Sequence, residues 1–388
     1  MIPRKILKEL QISAEQFRVV SVLGPRQAGK STLCRQCFPD YSYVSLEDPD
    51  VRAHANSDPR AFLRKYRSRA IIDEIQQVPK LLSYIQTIVD EDGELGQFVL
   101  TGSHQLLLTE QITQSLAGRT AMLTLLPLSC EELPIGDRSF DSVLIEGMMP
   151  GRYSHKVDPV RFYRSYFQTY VERDVRSLVQ VKDLSIFEKF IRLCAGRVGS
   201  LLNLTSLGNE VGVSSKTIEH WISILEASFI IYRLPPFYEN FNKRYIKSSK
   251  LYFIDTGLLC WLLGIENENQ LSRDPLRGCI VENFVVSECL KTFFNRGKDP
   301  RIYFCRDGKG KEIDILIERA RKIILLEIKS GETWHDSFGA NIKFFKGIAG
   351  EKVDEAFVMY GGKDEFFSSS GYRVVPFDSL DRLGSLLT

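Results

Sequence analysis

The sequence predicts an α/β chain: a parallel-sheet domain, then a mainly α middle block, then a second α/β domain. Three observations lead there. The chain has 388 residues, its hydrophobic pattern changes near residues 129 and 271, and a glycine-rich loop sits between a β-rich run and a helical one. With 44% hydrophobic and 26% charged positions, such a chain buries a core and divides into two or three domains. Disorder and fibrous repeats are excluded. Residues 17–128 alternate short apolar runs (Phe17 to Leu23, Tyr43 to Leu46, Ala70 to Ile72, Phe98 to Thr101, Ala121 to Leu126) with helical stretches. That is the rhythm of a doubly wound parallel sheet, and it sets the first domain at 1–128.

The 51 basic and 49 acidic residues leave a formal charge of +2, so no global field advertises a polyanionic partner. Any nucleic-acid contact must come from local patches. No apolar run reaches the roughly 18 residues that span a bilayer, so no membrane segment is expected and the default compartment is cytoplasmic. The eight cysteines are scattered. Cys34 and Cys37 form the one C-x-x-C and read as residues one helical turn apart on a helix face.

Residues Gly24, Pro25, Arg26, Gln27, Ala28, Gly29, Lys30 and Ser31 match G-x-x-x-x-G-K-[ST], with Thr32 following, between a strand ending at Leu23 and a helix starting near Lys30. Such a P-loop binds ATP: its backbone N–H groups turn inward around the phosphates and Lys30 reaches the β/γ oxygens. Ser31 can ligate Mg²⁺. Ala70 to Ile72 then runs into Asp73 and Glu74, an apolar strand ending in two carboxylates. Asp73 is expected to hold Mg²⁺ and Glu74 to polarise the attacking water, a division of labour that fits hydrolases better than kinases. The next strand ends at Thr101 and Ser103, placed to contact the γ-phosphate or orient water. Charge developing on the phosphoryl group calls for a cation, with Arg119, Arg152 and Arg173 as candidates, acting in cis or from a neighbour in a homo-oligomer.

Residues 129–270 read as a helical connector. Tyr163, Tyr166, Phe167 and Tyr170 recur at helical spacing, and residues 204–225 show a short helix, a glycine turn, a serine cap and a second amphipathic helix. With a following strand this makes a winged-helix-like segment over about 185–240. Such a helix-turn-helix reads DNA or serves as a packing module, and both readings stay open. Ser214, Ser215, Lys216 and Glu219 would face a groove. Lys243, Arg244, Lys247 and Lys250 would add phosphate contacts.

The third block, 271–388, opens with a helix over Cys279 to Phe294 and continues as strands. Asp314 on one strand is followed by Glu327-Ile-Lys329 on the next, and strand alternation sets Glu327 and Lys329 on one face. Across a hairpin Asp314 reaches the same spot, so Asp314 and Glu327 are the expected metal pair beside Lys329. The pattern resembles the PD-(D/E)xK nucleases, and that resemblance adds Glu282 on the preceding helix. The chain as a whole resembles prokaryotic AAA-type ATPases that carry a C-terminal DUF4143 domain. The matching stretches include Gly24 to Thr32, Ile71 to Gln76, Leu100 to Ser103, Ser115 to Arg119, Leu126 to Ser129, Tyr170 to Asp174, Lys250 to Leu259 and Glu327 to Lys329. The turn at Gly147 to Gly151 departs from that family's pattern.

The resemblance implies an ATP-hydrolysing module joined to a winged-helix-like segment and a nuclease-like domain. Two functions follow: an ATP-driven switch on nucleic acid, DNA more than RNA, with cleavage at Glu282, Asp314, Glu327 and Lys329; or an ATPase whose remainder is a non-catalytic interaction module. A small-molecule kinase is third, disfavoured by Glu74 and by the long accessory domains.

Overall fold

The computed structural model describes residues 2–103, 112, 114–176, 183–237 and 248–387, with residues 172–174 described by their backbone alone. The side chain of Arg173 and the residues Lys243, Arg244 and Lys247 therefore lie outside the described residues.

Strands β1 (Val19–Leu23), β2 (Ser42–Ser45), β3 (Ala70–Asp73), β4 (Phe98–Gly102) and β5 (Thr120–Thr124) match the five expected apolar runs. They pair in the order β2-β3-β4-β1-β5, every pair parallel. All five therefore end on one edge of the sheet. β1, β3 and β4 are buried at each position, as strands covered on both faces must be. Alternation divides their side chains. Val20, Val22, Ile71 and Val99 pack with Leu10 of helix α1 (Leu7–Gln16) and Leu33 of helix α2 (Lys30–Cys37). Val19, Leu23, Ile72 and Leu100 face the other side, against Ile85 and Val89 of helix α3 (Leu81–Asp92). Cys34 and Cys37 both lie on α2 as free thiols, and burial pushes the Cys37 thiol up to about 11.

In the middle block, helix Pro159–Tyr166 continues into a π-helical stretch, Phe167–Val175, and Tyr163, Tyr166, Phe167 and Tyr170 are all buried. Helices α4 (Leu204–Val211) and α5 (Ser215–Ala227) follow the expected grammar. Asn203 caps the first through the Ser206 N–H, Gly212 ends it at φ +91°, and Ser214 caps the second through Thr217 N–H. An antiparallel ribbon, β6 (Ile231–Leu234) and β7 (Lys250–Phe253), completes the block.

The C-terminal sheet contains β8 (Ile302–Arg306), β9 (Glu312–Arg319), β10 (Lys322–Lys329), β11 (Val353–Tyr360), β12 (Phe366–Phe367) and β13 (Arg373–Pro376). Their order is β12-β13-β11-β10-β9-β8. β9 and β10 form the expected antiparallel hairpin, whereas β10–β11 and β11–β13 run parallel. Helix α6 (Arg277–Phe294) precedes the sheet and packs on β10 and β7.

A buried carboxylate fastens α6 to the segment that leaves β5. Glu288 accepts from the Cys130 N–H at 2.7 Å and from Lys291 Nζ at 2.8 Å, with both charged side chains 2% exposed. Removing one partner strands the other charge. Glu288→Ala is expected to cost about 3–5 kcal/mol, read by urea denaturation, against a smaller loss for Glu288→Gln. A loss below about 1 kcal/mol for the alanine variant would show that this carboxylate is not a fastening.

Candidate functional site

β1 ends at Leu23, and the chain turns at Gly24, where an added Cβ would stand 2.0 Å from the Leu125 carbonyl oxygen. No larger residue fits. Gly29, at φ +89°, then aims the chain into α2. The N-terminus of α2, with free N–H groups and the positive end of its dipole, thereby faces the loop. Lys30 heads the helix, its ammonium held by the carbonyls of Gly24 and Pro25, both at 2.9 Å, and by Ser103 Oγ at 3.0 Å. Burial pulls the Lys30 ammonium below the usual lysine range, while Glu74 and Asp73 oppose that shift.

Ser31 Oγ donates to both oxygens of Asp73, at 2.9 and 3.0 Å. Asp73 also accepts from Tyr43 OH at 2.8 Å and from Thr101 Oγ1. A hydroxyl and a carboxylate in contact are a hard-oxygen pair, which fits Mg²⁺, an ion that takes few protein ligands and keeps its waters. Glu74 adopts a left-handed backbone at φ +56°, uncommon for any residue but glycine. Its carboxylate accepts from Ser103 Oγ at 2.9 Å and from Gln76 Nε2. Ser103 thus bridges Lys30 and Glu74, because β4 lies between the strands that carry them.

A cavity of about 720 Å³ opens over the loop. Lys30, Ser31 and Glu74 line one wall; Pro150, Gly151, His155 and Phe162 of the middle block line another. Gly151 lies so near the loop that a Cβ there would be 3.1 Å from Gln27 Oε1. The divergent Gly147 to Gly151 turn is therefore next to the pocket, which no motif signalled. Arg4 was also missed. It binds the Ala28 carbonyl at 2.7 Å, the Leu126 carbonyl at 2.6 Å and Glu132 at 3.1 Å, bracing the loop from behind.

Two arginine expectations are corrected within the chain. Arg119 is held bidentate by Asp90 at 2.7 Å, and its carbonyl accepts from Val19 N–H at the start of β1. A five-residue strand of roughly 13 Å separates that end from the loop. Arg152 is committed to Glu146 at 2.6 Å and lies 4.1 Å over the Tyr153 ring.

In the C-terminal domain, Glu282, Glu312 and Asp314 form the compact carboxylate group, with oxygens all within 4.8 Å of one another. Glu312, two residues before Asp314 on β9, shares its face, a signal that alternation carried. Glu327 stands beside this trio: Asp314 Oδ2 accepts from the Ile328 N–H at 2.7 Å, next to Glu327 in the chain, and Glu327 is the charge that acts most strongly on Asp314. Lys329 Nζ at 2.6 Å and Asn341 Nδ2 at 3.0 Å both donate to Glu327 Oε1, and its buried Oε2 has no hydrogen-bond partner among the described residues. Lys250 is a correction to the expected phosphate contacts. It is buried, with Nζ 2.8 Å from Glu282 Oε1 and 2.5 Å from Glu312 Oε1, and offers nothing to a phosphate backbone. Lys250 thus occupies one oxygen of Glu282 and one of Glu312, and sets a buried ammonium against any divalent ion drawn to the trio.

The decisive comparisons concern separate stretches of the chain. Residues 16–134 match the AAA domain family, 137–269 a domain of unknown function (DUF8612) and 277–380 a domain of unknown function (DUF4143). The chain carries an N-terminal AAA domain and a C-terminal DUF4143 domain. The parallel sheet with its P-loop is the AAA domain, and the mixed sheet belongs to DUF4143. An uncharacterized protein of Mycobacterium tuberculosis is 27% identical over 388 residues, spanning 99% of this chain and 85% of its own length. One from Haemophilus influenzae is 28% identical over 280 residues, 66% of this chain and 64% of that protein. Among solved structures, a Walker-type ATPase of Pyrococcus abyssi aligns with TM-score 0.42 and 16% identity over 67% of this chain and 95% of its own. AMPPCP-bound DnaA from Aquifex aeolicus aligns with TM-score 0.30 and 13% identity over 57% and 86%. Among the described residues no helix is long and apolar enough to cross a membrane.

Burial, with Glu327 and Glu282 nearby, holds the Asp314 carboxyl well above the usual carboxylate range. A raised carboxyl stabilises the fold below its unfolded value of about 4, and that stability is lost as pH rises through the folded value. Asp314→Asn, assayed in chelator, is therefore expected to raise Tm by roughly 2–5 °C at pH 8, with the gain closing toward pH 4. A lower Tm at pH 8 would contradict the assigned charge balance.

Proposed function

We propose that the chain is an ATP-hydrolysing switch that acts on nucleic acid, with Mg²⁺ held between Ser31 and Asp73. The Ser31–Asp73 contact beside Lys30 carries this reading. In it, Lys30 and the α2 N-terminus neutralise the phosphates, and Glu74 orients and deprotonates a water. Ser103 links the two, so that phosphate arriving at Lys30 is felt at Glu74. Mg²⁺, when bound, neutralises charge on the β- and γ-oxygens. Arg119 and Arg152 are held in ion pairs, so the proposal draws its cation from Arg26, which lines the pocket, or from a neighbour in a homo-oligomer, and Arg119 serves only if it leaves Asp90. Lys30→Ala is expected to weaken ATP binding at least ~10-fold by calorimetry. Glu74→Gln should keep affinity within ~2-fold while phosphate release slows ~100-fold or more. Equal losses of binding and turnover in Glu74→Gln would overturn the division of roles.

The nucleic-acid half is supported by the cap and outer face of α5, where Ser214, Ser215, Lys216, Glu219 and His220 are exposed. A helix so presented suits the DNA major groove, which admits it, over the narrow one of A-form RNA. Duplex binding should fall steeply as salt rises, and Lys216→Ala should weaken it. Absent or salt-insensitive binding would leave the switch acting on a protein partner instead. For the DUF4143 domain, the Lys250 contacts favour the non-catalytic reading, as a platform without metal-dependent cleavage.

A further inference from the structure

We propose that Lys250 is the resident cation of the C-terminal carboxylate cluster, supplied by the middle block, and that this cluster locks ribbon to domain and accepts a divalent ion only once Lys250 is removed. The proposal rests on the non-catalytic reading of the DUF4143 domain and names what fills its site.

Lys250 opens β7, so its position is set by the ribbon and not by the domain that owns the carboxylates. Its side chain is 4% exposed and meets Glu282 from α6 and Glu312 from β9. Two residues on, at the same strand face, Tyr252 OH also donates to Glu282. Phe253 continues the seam through its backbone: its N–H donates to Asn283 Oδ1 at 2.6 Å, and its carbonyl accepts from Asn283 Nδ2 at 2.8 Å. After β6, Phe237 N–H donates to the Phe304 carbonyl at 2.7 Å, and Lys250 Nζ lies 5.6 Å over the Phe304 ring. The ribbon is thus stitched to α6 and to β8, with the ammonium between them.

Charge makes Lys250 the natural occupant. The groups facing the cluster are Glu282 from α6, Glu312 and Asp314 from β9, Glu327 and Lys329 from β10, Arg306 from β8 at 3.5 Å from Glu312, and Tyr252 from β7. Lys250 is the cation that carboxylates from two different elements hold at once, while Lys329 is held by Glu327 and Arg306 by Glu312. A divalent ion beside this buried ammonium would bring like charges together out of water, which the interior penalises. Without Lys250, three oxygens within 4.8 Å of one another form a hard-oxygen set for one Mn²⁺ or Mg²⁺.

The test uses the full-length, nucleotide-free chain and Mn²⁺ alone, with free ion read by electron paramagnetic resonance and stability by thermal melting. Wild type is expected to take up no ion at this cluster below ~1 mM. Lys250→Met should melt lower, bind one Mn²⁺ at least ~100-fold more tightly and regain Tm as the ion binds. Adding Glu312→Gln to Lys250→Met should abolish that uptake, which assigns the ion to the cluster rather than to Asp73. If Lys250→Met does not fold, wild type and Glu312→Gln decide: equal Mn²⁺ uptake by both supports the proposal. Micromolar uptake by wild type that Glu312→Gln removes overturns it, as does a folded Lys250→Met that binds no ion. Mn²⁺-dependent nicking of DNA by wild type would sink the non-catalytic reading, whereas uptake without nicking sinks this inference alone.

Discussion

The side-by-side parallel pairing of β1, β4 and β3 is the constraint on which the rest depends. Because the three strands run the same way in unshifted register, Leu23, Gly102 and Asp73 reach one edge together. The chain then needs only a tight loop after β1, two carboxylates after β3 and two hydroxyls at the end of β4. Lys30, Ser31, Asp73, Glu74 and Ser103 meet there although up to 73 residues separate them in the chain. Burial of β1, β3 and β4 on both faces supplies the energy, since each fully buried Val, Ile or Leu contributes about 1.5–3 kcal/mol. The polar edge costs some of that, visible in the left-handed Glu74 and in a buried lysine.

The pocket is not the property of the AAA domain alone. Pro150, Gly151, His155 and Phe162 form its far wall, and Arg4 and Glu132 brace its floor. Glu132 belongs to the stretch whose Cys130 and Glu131 are bound by Glu288 of α6 and by Arg296 just past its end. α6 also carries Glu282, the carboxylate held by Lys250 and Tyr252. A contiguous set of polar contacts therefore joins loop, α6 and ribbon. Contiguity of this kind is a route for coupling, and a demonstrated energetic link between the ends is what would make it one.

Much of this was legible in the sequence, for reasons specific to each element. Periodic apolar runs located all five strands of the first sheet, and capping residues located α4 and α5, because local physics decides both. The P-loop and the Asp73–Glu74 pair were legible since their chemistry is carried by adjacent residues. β12, two residues long, has no period to detect. The far wall of the pocket was not legible, because Pro150 and His155 act by position in space and carry no motif. Lys250 was misread for a related reason: four cations within eight residues look like a solvated face, and only the fold shows that one of them turns inward to Glu282 and Glu312. Asp314 does come up against the strand that carries Glu327, as alternation across a hairpin leads one to expect, whereas the Asn341 contact to Glu327 is a tertiary choice that alternation does not encode. Arg119 sits in a motif, yet its place at the starting end of β1 is a matter of topology.

The most direct test of the central claim is a crystal structure of the chain soaked with Mg²⁺ and a non-hydrolysable ATP analogue. The account predicts phosphates against the Gly29, Lys30 and Ser31 N–H groups, a metal ion between Ser31 Oγ and Asp73, and Lys30 released from the Gly24 and Pro25 carbonyls to the phosphates. A loop that stays bare at millimolar analogue, with Lys30 still on those carbonyls, would contradict it.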